Sequence, residues 1–600
     1  MAMQLPNTPP LNRLERALAT RCGWVCLAIV VVSAALRIAY FAELSAGPCL
    51  WQHRARETDM AFFDEWGRLI ADGDWLTDRS LHPDHIWYRQ IAEAYFQAYP
   101  DRRAAWERAP DGTVRDPAEA LWDHWYDGKC FHQEPLYPYL IAATYRVFGP
   151  DVRWVFAWQM ALGVCTNLLI YLTARRYFGE LAAVVAVTLA VFCGPLLFFD
   201  LVLLRTTPTV FAALALVYLT GTVLARDRWP WWLLLGLCGG TTLLLQSSFV
   251  LFGCAVLGAL VWRRRRQPIL LARHVGALVL GAVLALAPAI ARNVAVGVRS
   301  LALSSVAPIV FVAGNLADSD PMYGFQVNAA RAARIMAVTD GRFGATVRTT
   351  LRTHTSGLSY VRQLLGKLYA AGHWYEQPNN ANFYYYRLHA MTLRLTVVTF
   401  AGVVGLGVVG AVLLLLQRRA AWPLLAMLLT TLVPMLLFYV LARFRTPLLA
   451  TLLPLAGYTA VRAADWLLQR RFGHAAAVLA GVAALSFVSL QPLPPGKPLI
   501  TAFDYNAPYA AYYGPLEQRA RDAGDWQQAA DILRSSLRYE PPEVRAFGPA
   551  RRAADEHEME LVRLYMAVYQ RLADDLAHAG QPAAAAVAEE RARALAAAAQ

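Results

Sequence analysis

Glu57-Thr58-Asp59 stands immediately before Ala61-Phe62-Phe63-Asp64-Glu65-Trp66-Gly67-Arg68-Leu69-Ile70, a run closed by Gly73-Asp74-Trp75. Phe62, Trp66, Leu69 and Ile70 recur at helical spacing, which predicts an amphipathic helix lying along a membrane surface. Asp59 then has two uses. It can cap that helix, the commoner employment of an aspartate at this place, by accepting a backbone N–H of the first turn. It can also act as a general base, a carboxylate held at an interface by a helix that cannot drift. Further polar groups recur along the chain: His132 and Glu134 before Pro135-Leu136-Tyr137-Pro138, Arg292-Asn293 after Pro288, Gly314-Asn315, Glu376 and Asn379 in Tyr375-Glu376-Gln377-Pro378-Asn379-Asn380, and Arg443-Phe444-Arg445-Thr446-Pro447.

Composition says what must position them. Of 600 residues, 57% are hydrophobic and 16% charged, against about 45–50% and about 25% in soluble domains. That excludes a soluble globular chain, and so much apolar surface excludes disorder. The 38 Gly and 8 Cys are too few for a collagen-like or disulfide-built scaffold. Net charge is +13, nearly all of it from arginine, since lysine occurs only as Lys129, Lys367 and Lys497. No basic stripe is interleaved with aromatic residues, so nucleic acid is not an expected partner.

A membrane span needs about 20 apolar residues. Such stretches fall at 22–44, 154–174, 181–199, 206–225, 229–262, 275–291, 395–416, 420–442, 446–468 and 474–490, and 229–262 is long enough for a hairpin about Gln246-Ser247-Ser248. Arg175-Arg176, Arg226 with Arg228, Arg263 to Arg266, Arg418-Arg419 and Arg470-Arg471 cluster on alternate short loops, which marks that face as cytoplasmic. The first span shows no small-residue cleavage site and reads as a retained anchor after a cytoplasmic segment, 1–21. The expected architecture is an all-α polytopic membrane protein of about eleven spans over 22–490, N-terminus inside and C-terminus outside. Two large polar loops, 45–134 and 292–387, then lie on the outer face, together with Arg443 and Arg445. Six cysteines fall within spans, while Cys49 and Cys130 sit in the first loop, either bridged or as two unrelated thiols.

After a linker at 491–507 the composition becomes rich in Ala, Glu and Arg. Gly524-Asp525-Trp526 with Ala529 and Pro541, and Gly580 with Ala585 and Ala592, occupy the small-residue positions of helix–turn–helix repeats. They resemble degenerate tetratricopeptide units, with a plain helical cap as the alternative, over 508–600. Neither version offers a catalytic group.

Taken in order, the motifs resemble those of bacterial integral-membrane glycosyltransferases of the GT-C fold, in the broad group of family 39 protein mannosyltransferases and the lipid A aminoarabinose transferase. That group carries an acidic motif in the first outer loop, an interfacial helix with "G-D-W", a "P-L-Y-P" helix, an "R-N" exit, a "G-N" and an "R-x-R-x-P" span. Counterparts here run over 22–490. The resemblance implies transfer of a sugar from a polyprenyl-phosphate donor, with inversion, on the periplasmic face of a bacterial inner membrane. The acceptor is then a protein, glycolipid or polysaccharide, recruited by the tail.

It further implies Asp59 as the base and Glu57 as a weaker candidate, with Asp64 and Glu65 facing solvent. Arg443 and Arg445, with Arg292 behind them, would meet the departing phosphate, because a guanidinium binds two oxygens at once. Being one residue apart on a helix, Arg443 and Arg445 are expected to divide, with only one reaching phosphate. His132, Glu134, Asn315, Glu376 and Asn379 are the candidate substrate contacts, although asparagines in loops commonly form turns and arginines at a membrane edge commonly snorkel. In the aminoarabinose branch a lysine precedes a double proline, where this chain has Glu134 and Pro135; His132 is the nearest substitute. No cofactor is assigned. Metal dependence differs among these relatives, but the acidic residues here form one cluster without ligand spacing.

Two other classes compete. A transporter or flippase would place ionisable residues in mid-span and repeat its span pattern. A membrane-anchored repeat scaffold would leave the two outer loops, rich in Trp, Tyr and Asp, without a task.

Overall fold

The computed structural model describes residues 8–81, 86–109, 112–298, 302–417, 421–548 and 551–599. Arg418 and Arg419 lie outside the described residues. Within those residues the chain is helical throughout, and strand pairing is limited to two isolated bridges, Arg108 with Val114 and Cys193 with Val398.

Among the described residues, six helices are long and apolar enough to cross a membrane: Cys22–Ser45, Val152–Phe178, Thr206–Arg226, Ser247–Arg264, Pro268–Ala295 and Phe472–Ser489. Glu180–Val191, Phe400–Leu416 and Trp422–Leu437 are shorter apolar helices. The run expected as one span over 181–199 differs. Its helix stops at Val191, and Gly194-Pro195 opens a separate short helix, Gly194–Phe198. The break is held by backbone pairing, with Val398 N–H donating to Phe192 and Gly194 N–H donating to Val398. The hairpin expected near Gln246-Ser247-Ser248 is present as Trp229–Leu243, a short turn and Val250–Arg264.

The chain divides into two compact units. The first comprises 1–38, 62–379 and 395–494. At its centre runs Ala442–Leu468, in which every residue from Arg445 to Thr459 is buried. Trp229–Leu243 lies on Pro268–Ala295 at very close range, because Gly236, Gly240 and Gly281 face that helix pair. A Cβ at Gly236 would run into the Leu278 carbonyl, so only glycine permits the approach.

Parts of both polar loops also belong to this unit. Ile86–Ala98 packs on Ala329–Thr339, with Tyr88, Trp122, Trp125 and Tyr126 against Ile309, Val312 and Met336. The helix expected on a membrane surface, Asp59–Ala71, is instead packed within the protein on Phe63, Trp66 and Ile70. Trp66 meets Phe131 at 5.4 Å, Phe63 meets Tyr137 at 5.1 Å, and Trp66 Nε1 donates to Thr77 at 3.2 Å. Asp64 takes hydrogen bonds from Tyr145 and Arg68, while Glu65 is exposed.

The second unit gathers 39–61, 380–394 and 495–600. Its tail holds two helical hairpins, Gly514–Asp522 with Trp526–Ser536 and Glu556–His578 with Pro582–Ala598. Each turns at a glycine with positive φ, +74° at Gly524 and +73° at Gly580, a backbone shape that costs other residues. Ala530 and Leu533 meet Val568, Leu572, Leu576 and Ala588 in a shared core. The 48–54 turn packs on Tyr509–Tyr513, with Ala55 against Ala507 and Ala511. Tyr386 donates to the Cys49 carbonyl at 2.9 Å, and Asn382 donates to Asp504 at 2.7 Å.

Candidate active site

The register at the head of Asp59–Ala71 decides what Asp59 does. Thr58 is the capping residue: its hydroxyl accepts the Ala61 N–H at 3.2 Å. Asp59 is thus the first helical residue, one position inside the cap. Asn380 grips it from both sides, donating from Nδ2 to the carboxylate at 2.8 Å and accepting the Asp59 N–H on Oδ1 at 2.7 Å. Gln52 donates to the Asn380 carbonyl at 3.2 Å, which fixes the amide in turn. Asp59 is 8% exposed. The result is an oriented carboxylate on the first turn of a helix, where N–H dipoles favour negative charge. Glu57 is exposed. Asn380 was not singled out from sequence, where Asn379 was; the side chain on Asp59 is that of the next residue.

Within the first unit, Arg443 and Arg445 separate as their spacing implied. Arg443 is half-buried, its guanidinium 4.8 Å over the Phe444 ring. Arg445 is 1% exposed and pairs with Glu376 at 2.7 Å. It also donates to the carbonyls of His373 and Tyr375 and lies 4.1 Å over Phe400. Two residues read separately as phosphate and substrate contacts therefore hold each other. Burial pushes the Glu376 carboxyl up, and Arg445 offsets part of that rise.

Arg292 likewise departs from the phosphate role. It donates to the carbonyls of Leu76 (2.7 Å), Lys129 (2.8 Å) and Thr77 and stacks over Phe131 at 4.0 Å, clamping the first polar loop. Glu134 pairs with Arg205 and accepts from the Ser247 N–H (2.9 Å) and hydroxyl (2.7 Å). Burial pushes this carboxyl up, but the Arg205 charge and the Ser247 donors outweigh it and hold it below its ordinary value. Where relatives carry a lysine, this chain thus has a carboxylate that ties down the 246–249 turn. His132 is buried among the rings of Phe62, Tyr88 and Tyr126.

Asn315 is also a packing hub. Its Nδ2 donates to Phe311 (3.0 Å) and Leu437 (2.8 Å), and its Oδ1 accepts from Lys367 at 2.7 Å. Burial pushes the Lys367 ammonium down to about 7. Asn379 is half-buried.

Sequence reasoning missed Lys367 and a second buried group. Arg37, inside the first apolar helix, pairs with Asp200 at 2.8 Å, and both are buried. Thr207 donates to Asp200 at 2.9 Å, and Gln159 links the Asp200 carbonyl to Tyr137. A charge inside an apolar span was the available signal. Among the described residues, no group of three or more His, Cys, Asp or Glu side chains is gathered to hold a metal ion.

Residues 132–291 match the family described as dolichyl-phosphate-mannose-protein mannosyltransferase. No curated protein matches the chain. Among solved structures, it is similar to the Archaeoglobus fulgidus oligosaccharyltransferase in its apo form, at 14% identity and a TM-score of 0.38. The likeness covers 84% of this chain and 59% of that one, so the chain spans well under two thirds of that enzyme's length. The same archaeal enzyme, AglB, in complex with an inhibitory peptide and a dolichol-phosphate gives 14% identity, the same coverage and a TM-score of 0.39. ArnT from Cupriavidus metallidurans bound to undecaprenyl phosphate gives 18% identity and a TM-score of 0.25, covering 66% of this chain and 76% of that one.

Proposed function

We propose that this chain is a multi-pass membrane glycosyltransferase that moves a sugar from a polyprenyl-phosphate donor to an acceptor nucleophile with inversion. The observation that carries the reading is Asp59, placed on the first turn of its helix behind the Thr58 cap and oriented by the Asn380 amide. The family match over 132–291 and the order of motifs along the chain support it.

In the step itself the acceptor oxygen attacks the anomeric carbon as the bond from that carbon to the phosphate oxygen breaks. Asp59 takes the acceptor proton, and polyprenyl phosphate leaves with the bonding pair. Phosphate is already a good leaving group, so one base and one cation suffice. We assign the cation to Arg443, which keeps part of its surface open, whereas Arg445 and Arg292 are built into the fold. Asn379 is retained as a candidate substrate contact and Glu57 as a lesser base. The arginine-flanked loops support an N-terminus in the cytoplasm with the polar loops and tail in the periplasm, and the order of motifs supports a bacterial inner membrane. The tail, 508–600, is assigned to the acceptor.

The test uses purified full-length protein in lipid with a panel of polyprenyl-phosphate sugars and acceptors, following polyprenyl phosphate by mass spectrometry. Asp59→Asn is expected to lower release about 10²–10⁴-fold, the scale of one general base. Equal release by both proteins would remove Asp59 from the reaction. Transport is a second reading, and the Arg37–Asp200 pair is the observation in its favour. These charges neutralise each other in a packed cluster with Thr207, which suits a fixed strut better than a moving carrier.

A further inference from the structure

The second unit contains a cavity of about 470 Å³, formed by the 380–394 segment and the tail, that the reaction above does not use. That volume falls in the range of sites holding small ligands, roughly 300–1,000 Å³. Tyr505 and Tyr539 supply its aromatic lining. Both rings are fixed from behind, Tyr505 edge-on to Tyr385 at 5.4 Å and Tyr539 against His389 at 3.8 Å.

Glu540 also lines the cavity and is 8% exposed. Its Oε2 accepts from Tyr569 at 3.3 Å, but its Oε1 accepts no hydrogen bond, the Arg591 guanidinium standing 3.9 Å away. A buried acceptor without a donor is destabilising until a ligand supplies one. Glu543, His557 and the guanidinium groups of Arg394 and Arg538 also line it, and Arg545 stands 3.7 Å from Glu540 Oε2. With Arg545 and Arg591 also beside Glu540, the cavity carries no surplus of negative charge to favour a cationic ligand.

A hydroxyl both donates and accepts, and therefore uses carboxylate and guanidinium side by side. An ammonium or guanidinium on a peptide would satisfy Glu540 but would meet Arg394 and Arg538 in the same space. A pyranose adds a C–H face that packs on a fixed aromatic ring. We propose that this cavity binds a neutral, hydroxyl-rich saccharide, its C–H face on Tyr505 and Tyr539 and its hydroxyls held by Glu540, Glu543 and Arg538. The saccharide's role as the sugar acceptor rests on the transferase reading; its binding does not.

Full-length protein in lipid nanodiscs, without donor, is titrated with maltotriose, mannotriose and chitotriose under saturation-transfer NMR, with the tripeptide Gly-Lys-Gly as rival probe. At least one trisaccharide binds, and both Glu540→Gln and Glu543→Gln weaken it about tenfold, the loss of one charge-assisted hydrogen bond. Glu543 is exposed, so its variant decides the matter if Glu540→Gln fails to fold. Absence of trisaccharide binding, binding indifferent to Glu543→Gln, or binding of the tripeptide alone would each overturn the assignment. Saccharide binding here, with no release of polyprenyl phosphate in the separate assay that supplies donors and acceptors, would sink the transferase reading and leave this one standing.

Discussion

Asp59 and Thr58 differ by one position, and that step separates a structural residue from a chemical one. Either side chain can cap a helix, so no pattern in Glu57-Thr58-Asp59 decides between them; the hydrogen bond from Ala61 does. Thr58→Ala is therefore expected to cost about 1 kcal/mol in thermal denaturation, the value of one cap. Its loss of polyprenyl phosphate release should be small beside that of Asp59→Asn.

Pairings across long chain separations were beyond reach for a different reason. Glu376 and Arg445 each looked like a ligand contact because polar residues in an outer loop need no internal partner, and their mutual burial exists only in three dimensions. Lys367 carries a pH signature of the same origin. Burial holds its folded value near 7, far below the 10.5 of an exposed lysine. Between those two values the unfolded chain binds a proton that the native one does not, so this group makes stability rise with pH and lose ground as pH falls toward 7. Lys367→Met should flatten that rise, measured as melting temperature from pH 7 to 10, whatever it does to the absolute value.

Among the elements, span positions were legible because twenty apolar residues in a row have few other uses. The failures have local causes. The stretch over 181–199 contains Gly194-Pro195, a breaker that its overall apolarity masked, and the structure stops the helix there. For the Asp59–Ala71 helix, read as interfacial, the repeat of apolar residues at helical spacing did not disclose the protein neighbours on one face. The helix packs on Phe131 and Tyr137.

Packing between spans makes a sharper test. Gly236 touches the neighbouring helix, whereas a Cβ at Gly239, three residues on, meets nothing within 4 Å. Gly236→Ala is expected to destabilise by about 1–3 kcal/mol through overpacking. Gly239→Ala should leave the melting temperature unchanged or slightly raised, since alanine favours helix over glycine. Equal effects of the two would contradict the close approach.

At the scale of the whole molecule, the tail looked separable, because its composition changes near 508 and its hairpins have their own core. What composition could not disclose is that 495–600 shares a compact unit with 39–61 and 380–394. The Tyr509–Tyr513 turn rests on the 48–54 turn, just before Asp59. Truncation after 508 is therefore expected to abolish polyprenyl phosphate release as well as acceptor transfer, with faster hydrogen exchange over 48–61. A truncated protein that still releases polyprenyl phosphate at the full rate would show the tail to be dispensable for that segment.

A unit built from three distant stretches of chain also imposes an order in time. Residues 39–61 leave the ribosome early, but 495–600, which share their unit, are synthesised much later. At about 5–20 residues per second, the wait is on the order of half a minute or more. During that interval the membrane helices of the first unit stand without the finished segment that carries Asp59. On the proposed function, a chain released early by a stalled ribosome would reach the membrane inert, unable to spend lipid-linked sugar on water.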